Sequence, residues 1–195
     1  MYHFRLSAAA SCLSVTLLAA CGGSGGQSFE DRLQGGIPRD YIRLVDTKSY
    51  SNLAQLPQSG YADYSGVLLT TFEKAQQADV VALADLKMRV NYATNDITGA
   101  ATNFVGQDVG AIAGNLTLDA ALNRAANNTS NFPVSGTLNG ALNIPRRGAA
   151  QVTSQVQGSI YGADNVLISG AAKGTAVFSS GNETFTGSFF VDNPN

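Results

Sequence analysis

Histidine occurs once in the chain, as His3, and tryptophan does not occur at all. Cysteine is confined to Cys12 and Cys21, and the single methionine after the first residue is Met88. With histidine and cysteine this scarce, the usual protein ligands for zinc, copper and haem are missing beyond residue 21. The commonest general base of hydrolytic triads is missing with them. Charge is sparse as well, 12 basic against 14 acidic residues in 195. So even a balance gives no basic footprint for nucleic acid or anionic lipid. No catalytic residue, metal ligand or cofactor is assigned from the sequence, and Arg146-Arg147, the one local basic spot, reads as a solvated loop.

The start of the chain carries its own signal. A short charged head, Met1-Tyr2-His3-Phe4-Arg5, precedes mostly apolar and small residues from Leu6 to Ala20. That run falls short of the ~20 consecutive apolar residues a membrane-spanning helix needs, and it has the layout of a secretion signal. It ends in Leu18-Ala19-Ala20-Cys21, which resembles the lipobox of bacterial lipoproteins. The resemblance implies cleavage before Cys21, lipid on that cysteine and, with Gly22 rather than aspartate following it, an outer-membrane destination. Removing the leader would remove His3, Arg5 and Cys12, leaving eleven basic against fourteen acidic residues and no disulfide. The expected organisation is therefore a signal peptide over 1–20, a lipidated flexible tether over 21–60 and a folded domain over 61–195. Glycine and serine dominate the start of the tether. "SFEDRLQGG" has the makings of one helical turn within it, and the apolar residues between Tyr41 and Leu56 suit packing on the domain that follows.

From Tyr61 the hydrophobic period becomes two, the signature of half-buried strands. In "FPVSGTLNGALNI" the residues Phe132, Val134, Gly136, Leu138, Gly140, Leu142 and Ile144 share one face. Reading all such runs predicts eight strands, at about 62–72, 81–93, 96–104, 110–122, 131–144, 151–161, 166–178 and 183–191. "FEKAQQADVVALADLKM" competes as a helix by composition. Its Leu86, Met88, Val90 and Tyr92 nevertheless alternate with Lys87, Arg89 and Asn91, which favours a loop at 73–79 followed by a strand.

A glycine recurs two residues after an apolar residue in seven of these strands, as Gly66, Gly99, Gly114, Gly136, Gly158, Gly170 and Gly187. Strand glycines weaken a sheet unless the chain bends there or something approaches closely. A small closed barrel supplies both reasons. The expected fold is all-β, an eight-stranded antiparallel up-and-down barrel. A membrane-spanning barrel has the same alternation turned inside out. The missing tryptophan and the scarcity of tyrosine argue for the apolar face turned inward.

Two stretches then resemble a known family. "ADLKMRVNYATNDITGAAT" is similar to a strand–turn–strand of the lipoprotein barrels of transferrin-binding protein B and factor H-binding protein. "GSIYGADNVLISGAAKGTAVF" resembles their late hairpin, through Gly158, Tyr161, Gly162 and Gly170. The resemblance implies a lipoprotein anchored in the outer membrane at Cys21, exposed on the cell surface and binding a protein or a small solute without catalysis. No contact residue carries over, because the family binds through differing loops.

A structural or assembly lipoprotein docking to another envelope component is the second reading. An enzyme is the third, and the scattered carboxylates Asp85, Asp96, Asp119, Asp164 and Glu183 read as solvated turn or strand-end residues without a paired arrangement. The inward aromatics expected from the alternation are Phe132, Phe178, Phe185 and Phe189. Tyr92 and Tyr161 are the candidates for any iron ligation.

Overall fold

A computed structural model describes residues 28–34, 49–126, 132–162 and 167–193. The expected signal peptide, the lipobox cysteine Cys21, the glycine-rich start of the tether, Gly35-Gly36, Asn127-Asn128 and Asp164 lie outside these residues. The domain is a closed antiparallel barrel with strands in up-and-down order: β1 (Tyr61–Glu73), β2 (Val80–Asn91), β3 (Asp96–Gly106), β4 (Gly110–Leu122), β5 (Val134–Ile144), β6 (Gly148–Tyr161), β7 (Leu167–Phe178) and β8 (Gly181–Asp192). β1 closes the ring on β8, with Leu68 opposite Phe189 and Phe72 opposite Phe185. The helix competing for 72–88 does not form, because Leu86, Met88 and Val90 bury alternate side chains in the barrel as β2.

Several large residues inside the barrel sit opposite small ones, which lets a narrow interior fill. Gly99 faces Leu118 and Gly140 faces Leu116, while Phe185 faces Gly174. Phe72 and Phe185 meet edge to face at 5.3 Å. The recurrent glycines mark where one strand crowds the next. A Cβ on Gly66, Gly99, Gly114, Gly136 or Gly170 would fall between 2.1 and 2.3 Å from the backbone of the neighbouring strand. Gly158 has less crowding, with Ser169 O at 2.9 Å, and Gly187 least, with Leu68 Cδ1 at 3.2 Å. Gly140, already on the shared face of the 132–144 run, and Gly174 belong to the same class, with clearances of 2.3 and 2.0 Å. The demand is therefore for room at tightly coiled strand pairs more than for a bend in one strand. β2 has no such glycine and uses Ala82 and Ala84 inside instead.

The alternation slips in two places. Relative to β2, β3 carries one extra residue at Thr102-Asn103, where Asn103 takes φ 54°, so the inward set runs Ile97, Gly99, Ala101 and then Phe104. At the start of β5, Pro133 and Val134 are both buried and the strand begins only at Val134. Proline offers no N–H to extend the ladder. Phe132, expected inside, is consequently outside and 43% exposed.

Both ends of the barrel are covered. One end receives the short 3-10 turn η1 (Leu53–Gln55), which buries Leu53 and Leu56 against the core. Arg124 fastens that turn by donating to the carbonyls of Leu56, Pro57 and Tyr92. Ser49 and Ser51 add backbone hydrogen bonds to the end of β6. A helix, α1 (Phe29–Gln34), lies on the outer wall with Phe29 buried against Val67 and Leu83, and Arg32 bonded to Asp85 and the carbonyl of Asn103. The described parts of the expected tether, 28–34 and 49–60, thus pack on the barrel.

Candidate functional site

Among the described residues, the side chains lining the interior are buried against one another from Phe72 and Phe185 at one end to Tyr64 and Tyr92 at the other. The hydroxyls of Tyr64 and Tyr92 are 3.1 Å apart, and burial pushes the Tyr64 phenol far above its ordinary pKa. Tyr92 is therefore engaged in the core, while Tyr161 stacks on Tyr50 at the outer surface, so the two tyrosines do not share a site. Among the described residues, no group of three or more histidine, cysteine, aspartate or glutamate side chains is placed to hold a metal ion.

Glu183 and Arg147 depart from their sequence reading, whereas Asp96, Asp119 and Arg146 are exposed as expected. Arg147 is a plug: its guanidinium reaches Glu183 and the carbonyls of Phe72 and Ala78. The Glu183 side chain is only 1% exposed. The strand carrying Glu183 aims it inward, as the alternation with Phe185, Phe189 and Val191 requires, so a buried charge at the rim needs a cation. Arg146 takes φ 68° in the same turn, which brings Arg147 back over the opening. Asp85 is likewise paired, with Arg32 of α1 and with Asn103 Nδ2 at 2.7 Å.

The outer wall over β4–β6 is mostly threonine, serine, asparagine and glutamine, while over β1–β3 it carries Val67, Leu69, Val81, Leu83 and Val105, packed with Phe29 of α1. An apolar interior behind the polar β4–β6 wall is the inverse of a membrane-spanning barrel, whose apolar side faces lipid. Two depressions stand out on this wall. The larger, about 580 Å³, lies over β1, β2 and β3 beside Asp63, Lys87, Arg89 and Thr98. Its main charges satisfy each other: Arg89 donates to both oxygens of Asp63 at 2.7 and 2.9 Å and stands 5.9 Å over the Tyr61 ring. That pairing holds the Asp63 carboxyl below the ordinary carboxylate pKa, through the Arg89 hydrogen bond first.

The second, about 410 Å³, lies over β6, β7 and β8. Register builds its floor from two rungs, Ser159–Ser169–Phe190 and Gln157–Ala171–Ser188. Tyr50, Tyr161 and Phe132 stand round it, with the two tyrosine rings 5.0 Å apart and tilted by 30°. Tyr50 and Phe132 are 47% and 43% exposed; Tyr61, beside the other depression, is exposed to 69%. Burial first, and then Tyr50, raise the Tyr161 phenol above its ordinary pKa, so it stays protonated near neutrality. Sequence reasoning missed this groove because Phe132 was assigned to the core and Tyr50 to the tether. No protein-family model and no curated protein matches the chain.

Proposed function

We propose that this protein is a non-enzymatic binding lipoprotein, anchored in the outer membrane through Cys21, exposed on the cell surface and capturing a protein or small solute on the outer wall of its barrel. The observation that carries the reading is the combination of a filled interior with an aromatic-rimmed groove on the outer wall. A filled barrel leaves recognition to its outside, and clefts of a few hundred Å³ with aromatic walls and a few polar groups are the usual form of small-molecule sites. The lipobox-like Leu18-Ala19-Ala20-Cys21 supports the anchor, and the pairing of Asp85, Asp63 and Glu183 with arginines favours structural over catalytic roles for these carboxylates.

Protease treatment of intact producing cells, with a permeabilised control, tests the location. Loss of the protein from intact cells is the expected result. Protection until permeabilisation would overturn surface exposure and favour docking to an envelope component. The Cys21→Ser variant should shift the protein from the membrane fraction to the soluble one; retention in the membrane would refute the anchor.

A further inference from the structure

The groove over β6–β8 has a chemistry more specific than binding in general. Among the described residues, the ten that line it include no lysine, arginine, aspartate or glutamate. An anionic or cationic ligand seated there would lose water without gaining a counter-charge, which disfavours it. A wholly apolar ligand would instead cover the amide of Gln157 and the hydroxyls of Ser169 and Ser188 with groups that cannot hydrogen-bond. What remains is a ligand that is neutral, dense in hydroxyls and flat on at least one apolar face.

Aromatic rings offer broad apolar faces for the C–H side of such a ligand, and Tyr50 and Tyr161 add hydroxyls at their edges. Ala171 and the serines keep the floor low between them. Strand addition by a peptide is closed off, since the ring of strands has no unpaired edge. We infer that the groove lined by Tyr50, Phe132, Gln157, Tyr161, Ser169 and Ser188 binds a neutral saccharide, through its apolar face on the rings and its hydroxyls on the amide and serine groups. This inference rests on the binding role proposed above and adds the ligand's class.

The test titrates the purified full chain, in mild detergent, with neutral oligosaccharides (maltotetraose, N-acetylchitotetraose and lacto-N-tetraose) and with a heparin tetrasaccharide as the charged comparator. Binding is read by calorimetry. At least one neutral sugar should bind, and Phe132→Ala or Tyr50→Ala should weaken it by about tenfold or more. Ala171→Arg, which fills an exposed floor position without touching the core, should abolish it while leaving the melting temperature near wild type. Tyr61→Ala, an exposed aromatic on another part of the wall, should leave binding unchanged.

Failure of every neutral sugar to bind, preference for the heparin fragment, or indifference to Ala171→Arg would overturn the saccharide assignment. None of these would touch surface exposure, which the protease experiment reads separately. If a sugar binds but the protein is protected on intact cells, the saccharide assignment stands and the surface location falls. Comparing free sugars with the same sugars on a glycoprotein, before and after enzymatic deglycosylation, separates a free oligosaccharide ligand from a glycan carried by a partner.

Discussion

Replacing Arg147 by alanine should be among the most damaging single changes in the barrel. Glu183 faces inward near the end of β8 with 1% of its side chain exposed, and Arg147 is the cation that reaches it. Removing one partner of a buried ion pair strands the other charge and typically costs about 3–5 kcal/mol. For a domain of this size that is a fall in melting temperature of roughly 10 °C. Glu183→Gln should cost less, about 1–2 kcal/mol, because the amide still accepts from the guanidinium and Arg147 lies closer to water. The double variant Arg147→Met with Glu183→Leu should return to within about 1 kcal/mol of wild type, since it removes both desolvated charges together. Urea unfolding of the four proteins, with the slope checked for constancy, compares them. An Arg147→Ala loss below about 1 kcal/mol, or a double variant no more stable than Arg147→Ala, would refute the plug.

Gly136→Val should lower stability by about 1–3 kcal/mol or more, because its Cβ would meet Ala120 Cα and Asp119 O at 2.3 Å; an unchanged melting temperature would sink the close-approach argument. Stability should fall as pH rises above about 10, where the unfolded chain ionises tyrosine while the folded state keeps the proton on Tyr64. The raised folded pKa means that the unfolded state binds fewer protons there, so the slope is negative, and Tyr64→Phe should make it shallower in a pH series of unfolding curves. Phe29→Ala should loosen α1 from Val67 and Leu83 with little change in global unfolding, seen as faster amide exchange confined to residues 29–34; exchange unchanged from wild type would count against the docking.

The eight strands were legible because period-two burial writes itself directly into the residue order, as in the run Leu86, Met88, Val90. The barrel followed from glycines such as Gly66 and Gly99, whose positions make sense only where neighbouring strands crowd together. What stayed hidden depends on register across the sheet. Nothing local distinguishes Gly174 from a turn glycine until Thr153 is known to lie beside it. The one extra residue at Thr102-Asn103 reverses the alternation without a proline or glycine to announce it. Pro133 was a visible warning that Phe132 would leave the inward face, since it lacks the N–H that continuing the strand would use. The pairing of Arg147 with Glu183 joins residues from different turns and strands, and only closure of the ring brings them together. The outer groove is hidden for the same reason, as Tyr50, Phe132, Tyr161 and Phe190 come from four separate stretches of chain.

The docking of α1 on β1 and β2 changes the reach of the protein. A free tether from residue 21 to residue 60 would let the barrel stand as far as ~130 Å from its point of attachment, at about 3.3 Å per residue. With Phe29 and Arg32 fixed to the wall, six residues lie between Cys21 and Ser28, seven steps of chain and a span of at most ~25 Å. If Cys21 carries the lipid, the helix is a short mooring line: it holds the β1–β3 side of the barrel near the bilayer. Because β6 and β7 lie across the ring from β2, the aromatic groove is then turned outward, away from the membrane to which the protein is tied.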